Sequence, residues 1–490
     1  MIITLPIFFP VLAGLAMIKL QISDRKARER YVFITLLSTL VFTLIAGFAD
    51  NGGEFTVASF ARGVDVAFKI DSVAVFFSTI FAAIWLLVGV FSMEYLKHEG
   101  EDNRFFAFYI SSLGALIGVA YAANLATLYV CFEAMSLLSY VLVVHSRTAR
   151  ALSAGRKYIY YSLAGASLGL IGVFYFYSTG WQRAFVAGGV IPADSGVNMS
   201  FVCFVTVLAV IGFGCKAGMF PLHAWLPTAH PQAPAPASSV LSGLITKAGV
   251  IAIIRIVYFT VGADNLRGTS TQYILLTLSI ITIFMGSMLA YKEKVLKKRL
   301  AYSTVSQVSY VIFGLLLLNE WGVVGALLQV LFHALAKNVL FLAAGAFIYK
   351  TGKTEVKDLY GMGQAMPKIL ICFSIAGLSL VGVPLTAGFV SKWYLALGAL
   401  TKTGFETADV LGFVGISVIM VSALLTAGYL VTVTAKAFFA KRSDMVSEKC
   451  DPNGYMTVPV IVLTALIVLF GVYPTPVINF VQTMAQSIVL

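Results

Sequence analysis

Long apolar segments separated by short polar breaks run through the whole chain. About 20 consecutive apolar residues are enough for a helix to cross a bilayer, and helices satisfy their own backbone hydrogen bonds in lipid. The pattern therefore predicts an all-α polytopic membrane protein with about 14 transmembrane helices. The predicted spans are 2–20, 31–49, 70–93, 105–122, 125–144, 157–178, 201–220, 236–260, 273–290, 302–318, 322–348, 367–399, 409–437 and 456–475.

Two of these spans contain residues that interrupt helices. The span 367–399 is too long for one straight helix, and the seventh span runs directly into prolines. The interrupting residues are Gly382, Pro384 and Gly388 in the twelfth span, and Pro221 and Pro227 after the seventh. We therefore expect broken helices 7 and 12. Unwound backbone at membrane depth is tolerated only where it is buried or lines a watery cavity.

The composition agrees with a membrane protein, because 59% of the residues are hydrophobic and only 11% are charged. The net charge of +12 does not indicate nucleic-acid binding, since the basic residues form short clusters between apolar segments. Loops on one side of the predicted bundle carry 22 lysine and arginine residues, and those on the other side carry five. The positive-inside rule makes the rich side cytoplasmic and places both termini outside. The first apolar run lacks a basic region before it, so we interpret it as a retained span. Together these features predict a multi-pass protein of the bacterial or archaeal inner membrane.

The sequence offers no recognisable cofactor or metal site. Its five cysteines are scattered without a Cys-x-x-Cys pair, which does not fit an iron–sulfur or zinc site from this chain alone. Neither a dinucleotide-binding nor a P-loop glycine pattern occurs between a strand and a helix. We therefore expect no cofactor, no metal and no self-contained catalytic site.

Seven basic residues remain inside or at the ends of the predicted spans. Inserting a lysine at the bilayer centre costs at least ~2.5–3.5 kcal/mol. Such a lysine is therefore expected either to extend its ammonium group to the headgroups or to have a functional or structural role. Three lie near helix ends and are expected to extend to the headgroups: Lys19, Arg255 and Lys436. Four lie deep in separate spans: Lys216, Lys247, Lys337 and Lys392. Each alone is equally compatible with a structural role, but together they indicate a shared path for ions.

Two further titratable residues are candidates for this path. Glu133 is the one clear acid deep within a span. Beside a buried lysine it would form a pair that holds or releases the lysine proton, whereas an isolated Glu133 would simply stay protonated. His333 and Lys337 are four residues apart, so they share a helix face, and histidine suits proton transfer near neutral pH. The alternative for His333 is a hydrogen bond between helices.

The positions of two lysines suggest an internal repeat. Lys216 lies just before the first predicted break and Lys392 just after the second. Matched broken helices are typical of inverted repeats in transporters. We therefore expect N-terminal helices in 1–104, repeats in 105–262 and 273–440, and a C-terminal helix in 441–490.

Three segments resemble a known family. They are 216–239, with the sequence KAGMFPLHAWLPTAHPQAPAPASS; 241–250, with LSGLITKAGV; and 298–310, with KRLAYSTVSQVSY. They are similar to segments of the antiporter-like subunits of respiratory complex I, of Mrp sodium/proton antiporters and of membrane-bound hydrogenases. The resemblance covers most of the chain, and the first segment is highly specific.

The resemblance implies a role for each candidate residue. Glu133 matches the titratable position of the family's fifth helix, Lys216 that of the seventh and Lys247 that of the eighth. His333 and Lys337 fall in the polar cluster of the eleventh helix. Lys392 matches the residue at the end of the twelfth helix. Together they would form a hydrated axis in the membrane plane with half-channels to either side. The chain departs from many members at Asn124, where they have an acid, and at Lys392, where some have glutamate.

The function expected from this resemblance is proton translocation, or sodium/proton antiport, within a multi-subunit complex. Its partners would be other membrane subunits of an Mrp, complex I-like or hydrogenase complex, together with lipids. Lysine-rich interior groups favour protons over sodium, which prefers carboxylate and carbonyl ligands. The alternative is a structural or quinone-contacting membrane subunit without its own pumping.

Overall fold

The computed structural model describes residues 2–49, 53–61, 64–180, 184–191, 196–440 and 450–489. Most of this part is helical. The helices are α1 (Leu5–Leu20), α2 (Arg25–Ala49), α3 (Ser72–Tyr95), α4 (Asp102–Tyr121), α5 (Leu125–Val143), α6 (Ala149–Ser178), α7 (Met199–Ala217), α8 (Leu226–Gln232), α9 (Ala235–Val240), α10 (Lys247–Ile254), α11 (Ala263–Leu266), α12 (Ser270–Lys292), α13 (Leu296–Leu316), α14 (Glu320–Thr351), α15 (Pro367–Val381), α16 (Ala387–Leu400), α17 (Glu406–Phe439), α18 (Gly454–Val472) and α19 (Thr475–Ile488).

Within these described ranges, twelve helices are long and apolar enough to cross a membrane. This confirms a polytopic helical membrane protein. Two of the predicted spans are not among the twelve: 302–318, which lies in α13, and 367–399, which is divided between α15 and α16. The number of fourteen spans and the inverted repeats therefore stay predictions.

Both predicted breaks are present. Helix α7 ends at Ala217, and Gly218 follows with a φ of +82°, a left-handed conformation that glycine adopts without strain. Helix α15 ends at Val381, and Gly382 follows with a φ of +93°. The chain resumes as α8 after the first break and as α16 after the second.

The eighth predicted span contains two departures from regular helix. Its continuous helical segment, Ala235–Val261, includes π-helical turns at Leu241–Ile245 and Arg255–Val261. The first ends two residues before Lys247. Single π-helical turns are often found at functional positions, and nothing in the apolar pattern predicted them.

Two long helical segments form the centre of the bundle. The apolar window of Ala235–Val261 is buried throughout, and that of α14 is almost as completely covered. Helix α14 packs against α3, α9, α13, α15, α16, α18 and α19. Lys247 and Lys337, which lie on these segments, are therefore shielded from lipid by other helices.

The chain between α2 and α3 is not an irregular loop. Phe55–Ala61 and Val64–Phe68 pair as an antiparallel two-stranded hairpin, and Phe68 also forms a bridge to Ala122. The all-α prediction is correct for the bundle but missed this hairpin. It also missed α19, an amphipathic helix that follows the last predicted span and packs on α14.

Candidate functional site

Lys216, one residue before the end of α7, is buried among hydroxyl groups. Its Nζ donates to Ser136 Oγ at 2.9 Å on α5, and to Tyr158 OH at 2.7 Å and Ser162 Oγ at 3.1 Å on α6. These acceptors engage all three ammonium hydrogens. The Tyr158 hydroxyl also contacts Ser139 Oγ at 2.6 Å, which extends the polar path by one group.

Glu133 lies on α5, three residues before Ser136, and is half-buried. Among the described residues, no carboxylate lies within 4.0 Å of Lys216, so the predicted Glu133–Lys216 pair is open in this structure. The Glu133 Oε1 atom is buried and has no hydrogen-bond partner in the described part of the chain.

Lys247 and His333 are in direct contact between two helices. Lys247 Nζ lies 2.7 Å from His333 Nδ1, and it also donates to the Ser242 carbonyl at 3.1 Å and to Thr246 Oγ1 at 3.4 Å. Ser242 belongs to the π-helical turn that precedes the lysine. Because amine and imidazole each exist in protonated and neutral forms, a contact of this length can carry a proton in either direction.

His333 was expected to share its helix face with Lys337, and both do project from α14 into the protein. The nearest titratable partner of His333, however, is Lys247 on another helix. Lys337 Nζ instead donates to the Leu300 carbonyl on α13 at 3.0 Å. Three candidate residues, from two helices, therefore lie in one buried region, with the Lys247–His333 contact at its centre.

Lys392 on α16 reaches back across the second helix break. Its Nζ donates to the Leu380 carbonyl at 2.9 Å and to the Gly388 carbonyl at 3.4 Å. A Cβ atom on Gly382 would lie only 2.8 Å from Lys392 Cδ, so glycine at the break gives the lysine its room. The ammonium thus caps the carbonyl end of α15, where the helix dipole favours a positive charge. The sequence analysis left a purely structural role open for each buried lysine, and this capping contact is such a role. It does not prevent Lys392 from also exchanging a proton.

Uncharged polar residues on α16, α14 and α13 form a hydrogen-bonded chain that the sequence analysis did not identify. Ser391, next to Lys392, donates to Gln329 Oε1 at 2.6 Å, and Gln329 Nε2 donates to Gln307 Oε1 at 2.9 Å. All three side chains are buried. Buried lysines in an apolar run are recognisable from the sequence, whereas serine and glutamine carry no such signal.

One of the three basic residues expected at the headgroups is placed differently. Arg255 is only 1% exposed and forms an ion pair with Asp71, with its NH1 atom 2.5 Å from Oδ2 and its NH2 atom 2.9 Å from Oδ1. The expectation for Arg255 is therefore wrong, because Asp71 supplies a counter-charge from the start of α3. Lys19 and Lys436 are exposed as expected. Asp71 also caps α3 by accepting from the Ala74 amide at 2.8 Å.

The fold and the site define a class: a polytopic helical membrane protein that carries four buried lysines, a buried histidine and a half-buried glutamate, with Lys216 and Lys392 beside helix breaks and Lys247 after a π-helical turn. The family described as NADH:quinone oxidoreductase/Mrp antiporter, TM, matches residues 122–420, and the family described as NADH-ubiquinone oxidoreductase (complex I), chain 5 N-terminus, matches residues 56–106. The chain belongs to this family of antiporter-like membrane subunits.

Individual relatives agree over almost the full length. The NADH-quinone oxidoreductase subunit N of Desulforudis audaxviator is 30% identical, and the match covers 98% of this chain and 96% of the relative. A Na(+)/H(+) antiporter subunit of Alkalihalophilus pseudofirmus is 28% identical over 99% of this chain and 97% of the relative. A chain in the structure of the membrane-bound sulfane sulfur reductase, an archaeal respiratory membrane complex, has the same fold, with a TM-score of 0.86 at 23% identity and coverage of 99% and 97% of the two chains.

Proposed function

We propose that this chain is a proton-translocating membrane subunit of a multi-subunit complex and that protons pass along a relay formed by its buried titratable residues. The relay comprises Glu133, Lys216, Lys247, His333, Lys337 and Lys392. The contact between Lys247 Nζ and His333 Nδ1, 2.7 Å long and fully enclosed by helices, is the observation that carries the proposal.

The surroundings of the relay support a path for protons more than a purely structural role. In the described part of the chain, none of its four lysines has a carboxylate within 4.0 Å. An ion pair with a carboxylate would hold an ammonium group to one fixed partner, and no such pair is present at these lysines among the described residues. Hydroxyl and imidazole groups beside Lys216 and Lys247 accept hydrogen bonds from whichever form is present.

Translocation by this chain requires partner subunits. The described residues show buried lysines rather than a reactive centre, so the energy would come from an ion gradient or from neighbouring redox subunits. Relatives named as a quinone oxidoreductase subunit and as an antiporter subunit support both possibilities. The lysine-rich interior favours protons as the ion that crosses here.

The proposal includes an orientation in the membrane, which is argued from the charge of the loops. The ends of the bundle that carry the lysine- and arginine-rich loops face the cytoplasm of a bacterial or archaeal cell, and both termini lie outside. Two inverted repeats, 105–262 and 273–440, each contribute one broken helix, between N-terminal helices in 1–104 and the segment 441–490. Lys216 and Lys392, one at each break, support this arrangement.

Transport by the assembled complex in inverted membrane vesicles tests the proposal. Lys216→Met and Glu133→Gln preserve side-chain size and remove the titratable group, so we expect both to assemble normally and to abolish acidification of the vesicle interior. Lys19→Met is the matched control, because Lys19 is exposed at the end of α1, and it should transport normally. Full transport by both relay variants would overturn the proposal.

A further inference from the structure

A cleft lies where three helix ends meet, at the end of the bundle at which α2 begins. The first turns of α2, the last turns of α3 and the start of α18 enclose about 510 Å³. Helix α3 packs against both α2 and α18, which holds the three ends together. None of the six relay residues lies on these helices, so a ligand of this cleft would be separate from the path for protons.

Two basic side chains in the cleft lack a counter-charge. Lys26 and Arg30 are exposed, and among the described residues neither has a carboxylate within 4.0 Å. They are four residues apart on α2, where like charges repel each other, so an anion between them would stabilise both. Glu29 also lines the cleft, but its Oε1 atom is already paired with Arg25 Nε at 2.5 Å.

The other charges near the cleft are engaged in the structure itself. Arg25 NH2 donates to the Met93 carbonyl on α3 at 3.4 Å and lies 3.7 Å from Glu94 Oε2. The Glu94 carboxylate is also paired with Lys97 Nζ at 2.5 Å. These contacts join the start of α2 to the end of α3 and neutralise the nearby acids, so the two unpaired cations remain available to a ligand.

The face of α2 that carries the two cations continues as an apolar row. The row follows Arg30 at intervals of three or four residues, which places its members on one side of the helix. Its members, all exposed, are Phe33, Leu37, Val41 and Leu44. An exposed apolar row on a membrane-spanning helix contacts acyl chains. Tyr455 adds an exposed ring and hydroxyl to the cleft, as is typical at the boundary between headgroups and hydrocarbon.

Positive charge at one end of an apolar row matches an amphiphile with an anionic head. Basic pockets between transmembrane helices bind phosphate headgroups of lipids, and arginine can hold a phosphate through two hydrogen bonds. We propose that this cleft binds an anionic phospholipid, with Lys26 and Arg30 at its phosphate and an acyl chain along the row from Phe33 to Leu44. An acidic segment of a partner subunit would satisfy the cations but would leave the apolar row exposed.

Lipid binding to the purified full-length chain in detergent tests this inference. A ligand that binds only the folded state raises the melting temperature as its concentration increases. We expect a saturable rise with phosphatidylglycerol, and the double variant Lys26→Gln, Arg30→Gln should need about tenfold more of it or more. The matched control is Lys292→Gln, Lys294→Gln, which removes two exposed cations at the end of α12 and should respond as the wild type does.

Further ligands and variants define what would overturn the inference. Phosphatidylcholine with the same acyl chains and inorganic phosphate should each have a much smaller effect. An equal effect of phosphatidylcholine would show that the cations do not select the headgroup, and an equal effect of inorganic phosphate would show that the cleft takes a free anion. The exchange Lys26→Arg, Arg30→Lys keeps both charges and should restore binding, which separates charge from a folding defect.

Two more results would contradict a specific lipid site. Equal lipid demand in the two glutamine double variants would mean that any surface cation serves as well as those of the cleft. If Lys26→Gln, Arg30→Gln binds phosphatidylglycerol normally but loses a subunit from the complex isolated through this chain, an acidic partner segment occupies the cleft and the inference is wrong.

Discussion

Lys247 and His333 are 86 residues apart in the sequence, yet Lys247 Nζ and His333 Nδ1 lie 2.7 Å apart in the fold. The lysine follows a π-helical turn whose Ser242 carbonyl accepts a second hydrogen bond from the same ammonium. The contact thus depends on an irregular helix on one side and a regular helix on the other. A proton exchanged here passes between two independent structural elements.

Lys247→Arg separates charge from proton exchange at this contact. Arginine keeps the positive charge and hydrogen-bond donors, but it stays protonated under all conditions relevant to a protein. We expect the variant to assemble and to lose transport by about tenfold or more. The measurement is vesicle acidification at equal amounts of assembled complex. Transport at the wild-type rate would show that Lys247 acts only as a fixed charge.

Variants of Lys392 can separate a structural role from proton transfer, because its ammonium group caps the carbonyl end of α15. Lys392→Met should lower both the melting temperature and transport, because the Leu380 carbonyl loses its donor at a cost of about 1–3 kcal/mol. Lys392→Arg retains donors, so it should preserve more of the melting temperature while still losing transport. Thermal unfolding in detergent and vesicle transport together make this comparison. Normal pumping by both variants would leave Lys392 a purely structural cap.

The sequence was sufficient to predict the buried lysines but not their partners. A charge such as Lys216 within an apolar run stands out because its insertion into lipid is costly. Tyr158, which accepts its hydrogen bond, is an ordinary residue in an apolar helix until the fold brings the two together. Helix breaks were predictable for the same local reason, since glycine and proline act through backbone geometry within a few residues.

The errors came from interactions between distant segments. Arg255 was expected at the headgroups because it lies near a helix end, and only tertiary packing brings Asp71 into contact with it. The hairpin formed by Phe55–Ala61 and Val64–Phe68 was missed because its stability depends on pairing and on the bridge to the end of α4. Neither the ion pair nor the strand pairing can be predicted from the apolar pattern of a single segment.

The Asp71–Arg255 pair should contribute to stability through the cost of leaving one charge unpaired. Asp71→Asn leaves the nearly fully buried guanidinium of Arg255 without a counter-charge. Removal of one partner from such a buried pair lowers the free energy of unfolding by roughly 3 kcal/mol. The double variant Asp71→Asn, Arg255→Met should therefore melt at a higher temperature than Asp71→Asn alone. Thermal unfolding of the purified protein in detergent measures both. A double variant that is less stable than the single one would argue against an uncompensated charge as the cause.

His145, between α5 and α6, should make stability depend on pH. Its ring is 2% exposed, its Nε2 lies 3.0 Å from the Gly100 carbonyl, and its Nδ1 faces the Arg104 guanidinium at 3.5 Å. Burial is the main cause that lowers the pKa of His145 to about 4, and the Arg104 charge acts in the same direction against the hydrogen bond to Gly100. The folded state thus holds a neutral imidazole, with the hydrogen on Nε2.

The direction of the effect follows from the proton balance. In the unfolded chain, His145 takes up a proton near its usual pKa of 6.5, whereas in the folded protein it does so only near 4. The contribution of His145 to the free energy of unfolding is therefore fully present above pH 6.5. It is lost as the pH falls towards 4, and the total loss is up to about 3 kcal/mol. His145→Gln should flatten the fall in melting temperature over this interval, whereas His98→Gln, which changes an exposed imidazole, should not. Equal slopes for wild type and His145→Gln would show that this histidine does not control acid stability.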